Sequence, residues 1–309
     1  MATPKRTWPS ERTLVVAALF SLYVIWGSTY YAMRVALRAL PPFLMAAPRF
    51  LIAGAILFLF LLARGVKPPT ARQWLSCAAV ATLLLVMGNG LVAVAERSVD
   101  SGTAATVVAT MPLWAAAIGW FWGERPKALE VAGLCFGFAG VAVLNRTSGL
   151  SLNGPNSIAI LAAPAAWALG SVWSRRLSLP PGAMAAAAEM LVGGVLMFGV
   201  AMIRGERLQA KLTPATYLAV GYLIVFGSLI AFSAYGFLLR ATRPLVATSY
   251  AYVNPIVALG IGAALGGELL TLEKAGACAL TVVGVLIVTL GRHTLADGIP
   301  SGPGHTPSK

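Results

Sequence analysis

Pro41-Pro42-Phe43-Leu44-Met45-Ala46-Ala47 and Pro180-Pro181-Gly182-Ala183-Met184-Ala185-Ala186 are two writings of one phrase, about 140 residues apart. The echo extends outward on both sides. Arg64-Gly65 returns as Arg204-Gly205, and Trp26 with Arg34 eight residues later returns as Trp167 with Arg175. Gly123-Glu124 returns as Gly267-Glu268, and Glu130-Val131-Ala132-Gly133 as Glu273-Lys274-Ala275-Gly276. The chain is therefore an internal duplication, and the number of spans in each copy decides the fold.

A membrane-crossing helix needs about 20 mostly apolar residues. Ten such stretches occur, at 13–36, 42–63, 73–95, 102–122, 127–145, 156–177, 182–203, 214–239, 244–266 and 272–290. Five spans per copy is an odd number, so the two copies must lie in the bilayer in opposite orientations. The expected fold is an all-α integral membrane protein of ten transmembrane helices in two inverted five-helix repeats. The segments are an N-terminus over 1–12, a first repeat over 13–146, a loop over 147–155, a second repeat over 156–291 and a disordered tail over 292–309.

Composition agrees. The 309 residues are 58% hydrophobic and 11% charged, where soluble domains carry about 25% charged residues. The net charge of +13 comes from basic residues placed singly or in small groups between apolar stretches. That is no nucleic-acid face, which would cluster them with stacking aromatics. Lys5, Arg6, Arg12, Arg64, Lys67, Arg72, Arg125, Lys127, Arg175, Arg176, Arg240, Arg243, Arg292 and Lys309 fall on one side and outweigh Arg34, Arg38, Arg97, Arg146, Arg204, Arg207, Lys211 and Lys274 on the other. The positive-inside rule then places both termini in the cytoplasm. Arg204, Arg207 and Lys211 oppose it. Cys77, Cys135 and Cys278 lie within apolar spans and read as small buried hydrophobes. The histidines, His293 and His305, lie at the C-terminal end, so no metal or cofactor site is expected within the membrane.

The polar and aromatic residues at membrane depth carry the functional reading. Trp26, Trp114 and Trp167 fall near mid-span, where an indole N–H needs a partner or water. They are either packing residues or the walls of a central cavity. The pairing of Trp26 with Trp167 across the repeat favours a shared axis. Asn89 and Asn254 are amides at the same depth. Asn254-Pro255 answers Met111-Pro112 in the other repeat. A mid-helix proline frees a carbonyl, which the bilayer tolerates only beside protein or a wet cavity, so Pro112 and Pro255 read as kinks or hinges. Tyr250 lies one turn from Asn254. Arg49 and Glu189 are charges of opposite sign at equivalent positions, each about two turns from a span end; they either snorkel and pair locally or take part in ion coupling. Gly133 with Gly137, and Gly262 with Gly266, are G-x-x-x-G pairs that read as tight helix packing.

Several classes are excluded or weakened. No aspartate lies within a span, no phosphate-binding G-x-x-x-x-G-K-[ST] motif occurs, and Ser171, Ser228 and Ser233 have no histidine for nucleophilic work. No enzyme activity is expected.

Trp26-Gly27-Ser28, Arg49-Phe50-Leu51, Met111-Pro112-Leu113 leading to Gly123-Glu124, and Asn254-Pro255-Ile256 leading to Gly267-Glu268 resemble the EamA family of the drug/metabolite transporter superfamily. The resemblance runs from the first span to the tenth. It implies two inverted five-helix repeats around a cavity that opens alternately to each side. It also implies export of small metabolites, typically amino acids, across a bacterial inner membrane. Aromatic amino-acid exporters are closest in character. The sugar-phosphate branch would place Lys or Arg at mid-membrane, and no Lys lies deep in a span here. The expected cavity wall is Trp26, Tyr30, Asn89, Met111, Trp114, Trp167, Ser171, Tyr250 and Asn254. The expected partners are a small-molecule substrate and the lipid bilayer, with the chain acting as a monomer. An uncoupled facilitator, a multidrug efflux protein and a non-transporting membrane scaffold are the alternatives.

Overall fold

The structure, a computed structural model, describes residues 11–121, 128–147, 155–208, 210–241 and 249–293. The inter-repeat loop over 148–154, the Gly123-Glu124 element and the tail from 294 lie outside the described residues. Ten helical rods run through what is described. The first repeat holds α1 (Glu11–Ala36), α2 (Pro42–Ala63), α3 (Ala71–Ala95), α4 (Ser101–Phe121) and α5 (Ala128–Thr147). The second holds α6 (Pro155–Ser174), α7 (Ala183–Ile203), α8 (214–241), α9 (Tyr250–Gly266) and α10 (Leu272–His293). Seven of these are long and apolar enough to cross a membrane, and Val131–Leu144 and Tyr250–Gly266 are shorter apolar helices. The protein is an all-helical membrane protein of two inverted repeats.

The duplication is visible as packing. α2 lies against α7 and α5 against α10, each helix pairing with its own counterpart. α1 packs on α8 and α9, and α6 packs reciprocally on α3 and α4. Such interlocking is what a two-fold axis between repeats produces. Glycines let the α5–α10 pair approach closely: a methyl on Gly284 would lie 2.3 Å from the Gly137 nitrogen. Gly133 and Gly137 therefore serve packing within the chain.

The repeated Arg-Gly is a helix stop. Gly65 and Gly205 take φ of 78° and 63°, the left-handed conformation that ends a helix without a Cβ clash. In the first, the nitrogen of Val66 reaches back to the carbonyl of Leu61 at 3.0 Å; in the second, Glu206 reaches Ala201 at 2.9 Å. The outer surface is apolar, as a bilayer requires: Phe20, Phe121, Ile203 and Leu272 are among the most exposed side chains. Cys135 is exposed on that surface, whereas Cys77 and Cys278 are buried. An apolar span has an outward face as apolar as its core, so hydropathy alone does not tell the two apart.

Two features of the helices are absent from the sequence reading. Thr82–Asn89 in α3 and Leu223–Ile230 in α8 are π-helical, at equivalent places in the two repeats. In α4 the helix is interrupted at Ala109 and Thr110, just before Met111-Pro112. Its counterpart α9 runs unbroken through Pro255.

Candidate functional site

Trp26 of α1 and Trp167 of α6 meet where the repeats face each other, ring centroids 6.4 Å apart at 80°. Trp26 also stands edge-on to Tyr250 at 4.8 Å and to Phe232 at 5.5 Å. These rings form one wall of a cavity enclosing about 740 Å³ of atom-free space, counted out to its open mouth. Of the expected wall residues, Trp26, Tyr30, Asn89, Met111, Trp167, Tyr250 and Asn254 line it, joined by Thr29, Met33, Phe232 and Pro255.

Other expected residues lie elsewhere. Trp114 is partly buried and packs edge-to-face on Phe138 of α5, centroids 5.4 Å apart. Ser171 donates to the carbonyl of Trp167 on its own helix at 2.8 Å. Pro112 opens the second half of α4 and does not line the cavity. Glu189 is half-buried on α7, also off the cavity. Trp114 does fall near mid-span, and Ser171 lies one turn from Trp167 near the end of α6, but position along a span does not fix the face of the helix a side chain occupies.

The first π segment gives Gly88 and Asn89 to the wall, and the second lies behind it. Widening a turn breaks the usual i→i−4 pattern and leaves carbonyls available. Gly227, inside the second segment, accepts from Trp26 Nε1 at 3.3 Å. Gly88, at the end of the first, receives the face of Trp167: a methyl there would lie 2.7 Å from Cε3 of the indole. The two tryptophans thus sit on equivalent segments with unequal chemistry. Trp167 Nε1 is buried and has no hydrogen-bond partner among the described residues, and the same holds for Asn254 Oδ1. Buried polar atoms are nearly always paired, so an unpaired donor and acceptor in one cavity mark places for a ligand or water.

Arg49 is the charge in this cavity. It is 2% exposed, and its Nε donates to Ser228 Oγ at 2.8 Å. It neither snorkels to a span end nor pairs with Glu189. Its equivalence to Glu189 is therefore one of sequence position only.

One end of the bundle carries a cluster of ion pairs that the sequence reading passed over. Arg34, near the end of α1, donates from Nη1 to Asp100 at 2.9 Å and to Glu268. Lys274 of α10 donates to the other Asp100 oxygen at 2.7 Å. Glu268 also accepts from the Ser101 hydroxyl at 2.6 Å and from the backbone nitrogens of Ser101 and Gly102 at the start of α4. Four helices are tied at that end. Burial alone would raise the Asp100 carboxyl. The hydrogen bonds and charges of Lys274 and Arg34 outweigh that and hold it below its ordinary value. Glu124, the sequence counterpart of Glu268, lies outside the described residues. Just past α3, Glu96 is buried, and among the described residues neither carboxylate oxygen has a hydrogen-bond partner. Burial pushes this carboxyl well above the usual range, and Glu268 adds to the effect.

The chain is similar to known proteins over most of its length. A family model described as the EamA-like transporter family matches residues 13–146 and 156–290. An inner membrane transporter of Escherichia coli K12, YedA, described as uncharacterized, is 47% identical over 277 residues, covering 89% of this chain and 90% of that protein. A Salmonella typhimurium protein named "Probable amino-acid metabolite efflux pump" is 26% identical, covering 87% of this chain and 92% of that one. A solved crystal structure 24% identical in sequence shares the fold, with a TM-score of 0.65 over 92% of this chain and 99% of that chain.

Proposed function

The chain belongs to the EamA-like transporter family, and from that membership we propose that it is a secondary exporter of amino acids, aromatic or broad in range, working by alternating access. The observation that carries this reading is the composition of the cavity. Trp26, Trp167, Tyr250 and Phe232 offer flat apolar faces, while Asn89, Asn254 and Arg49 offer polar groups from both repeats. A mostly apolar pocket with a few convergent polar groups suits a small amphipathic molecule. The Salmonella relative named for amino-acid metabolite efflux supports the substrate class.

In this reading both termini are cytoplasmic in a bacterial inner membrane, as the basic residues favour and as the description of the Escherichia coli relative suits. The Arg34–Asp100–Glu268–Lys274 cluster then closes the outer side. Pro112 and Pro255 serve as pivots, and one chain suffices.

The test is flux from proteoliposomes loaded with labelled tryptophan, phenylalanine, leucine or threonine, with and without a pH gradient. Substrate-dependent efflux that the gradient accelerates is the expected result. Efflux insensitive to the gradient makes the protein a facilitator. No flux for any amino acid overturns the substrate class.

A further inference from the structure

The cation in the cavity touches no anion. The hydrogen-bond partners of Arg49 are all neutral: Ser228 Oγ at 2.8 Å, Asn89 Oδ1 at 3.4 Å, the Gly227 carbonyl at 3.4 Å and the Met33 sulfur at 3.6 Å; its guanidinium carbon also lies 4.7 Å from the centre of the Phe50 ring. Among the described residues its guanidinium makes no ion pair, unlike Arg34, Arg204 and Lys274. Glu96 acts on Arg49 only through its field, and burial drives Glu96 itself toward the neutral acid. An unpaired cation in a membrane interior is costly, and such residues mark substrate or ion sites.

The partners also point to a ligand. Three of the four contacts are long, and the two terminal nitrogens carry four N–H donors between them. The guanidinium is oriented through Nε by one good bond to Ser228 and keeps donating capacity at its forked end. That fork matches a carboxylate, which it binds through two parallel hydrogen bonds. One cation suits a monoanion. The unpaired Asn254 Oδ1 supplies an acceptor in the same cavity, where an ammonium group finds a partner.

We propose that Arg49 binds the carboxylate of the transported molecule, with Asn254 accepting from its ammonium group and the Trp26–Trp167 pair enclosing its side chain. The assignment rests on reading the cavity as the substrate path, and it turns a general metabolite pocket into one that demands a carboxylate. Arg49 is then a specificity-determining residue, and bare amines, however aromatic, are poor ligands.

Binding to detergent-purified protein by calorimetry tests this without relying on flux. The probes are tryptophan, tryptamine (no carboxylate), indole-3-propionate (no ammonium) and phenyl phosphate. Wild type is expected to bind tryptophan at least about tenfold more tightly than tryptamine, the usual scale for a charge-assisted hydrogen bond. Arg49→Gln is expected to remove that difference, and Arg49→Lys to keep part of it. Equal affinity for tryptophan and tryptamine in the wild type overturns the proposal, and needs no variant to fold. Retained discrimination in a folded Arg49→Gln protein also overturns it, and so does tighter binding of phenyl phosphate than of any carboxylate. If indole-3-propionate binds in an Arg49-dependent way while tryptophan does not, the carboxylate site stands and the amino-acid reading falls.

Discussion

Trp26 and Trp167 touch edge to face across the repeat axis, yet only Trp26 has an acceptor for its indole N–H. Equivalent positions in the duplication have thus parted into a structural role and an open one. Trp26→Phe should lower thermal stability by about 1 kcal/mol, the usual net worth of a hydrogen bond, because the bond from the indole to the Gly227 carbonyl is lost and only the longer one from Arg49 remains. Trp167→Phe gives up no hydrogen bond within the protein, so it should leave stability nearly unchanged and weaken substrate binding. Thermal unfolding in detergent beside ligand binding separates the two. Equal stability losses would deny the asymmetry.

Gly88→Ala places a methyl 2.7 Å from the Trp167 ring. Overpacking of this kind costs about 1–3 kcal/mol. Since the ring belongs to the cavity wall, binding should weaken together with stability. Gly199→Ala, at a helical glycine with no neighbour within 4 Å, is the control: it should leave binding unchanged and should not lower stability, since alanine is the better helix former.

The ion-pair cluster should behave as a latch on its side of the bundle. In a chain with Cys77, Cys135 and Cys278 replaced by serine, Thr29→Cys puts a thiol on the cavity wall. Adding Arg34→Ala should raise labelling of that thiol by an impermeant reagent, applied from the cluster side, several-fold. Unchanged labelling would mean that something else closes this end.

The same cluster predicts an acid limit. The Asp100 carboxyl is held below its ordinary value of 3.8. The stabilisation it contributes is therefore complete above that value and is lost as pH falls through the lowered one. Asp100→Asn should flatten this acid-side fall in thermal stability, and a variant as acid-sensitive as the wild type would refute the linkage.

Glu96 has the opposite sign. Its carboxyl is raised well above 4.5, so the folded state binds a proton that the unfolded chain releases. Stability falls as pH rises from 4.5 toward the raised value. Glu96→Gln, a neutral isostere, should gain on the wild type as pH rises through that window. A constant difference across it would show that the acid is not held neutral.

Much of the architecture was legible because a duplication repeats constraints as well as residues. The second Arg-Gly marked a second left-handed helix stop, and the second mid-span Trp pointed to the axis it shares with the first. The chemistry was harder to read. The π segments carry no proline or unusual composition, and their widened turns become visible only when Gly88 is found under Trp167 and Gly227 beside Arg49. Arg49 looked close to a span end when counted along the chain. The proteins's interior at that depth is a cavity rather than lipid, which is why the side chain stays inside. Asp100 and Glu268 lie outside the spans, and the contacts that give them meaning come from far along the chain: Lys274 reaches Asp100 across 174 positions and Ser101 reaches Glu268 across 167.

The pairing of α2 with α7 and of α5 with α10 has a consequence for how the molecule can be assembled. Within its own half each of those helices makes only slight contacts, so a five-helix fragment leaves both main packing faces bare to lipid. Two such fragments inserted in opposite senses would cover each other. Residues 1–150 and 151–309, translated as separate polypeptides in one cell, should therefore find each other and restore transport, while either one alone should be degraded. The covalent join would then serve to fix the ratio of the halves at one to one.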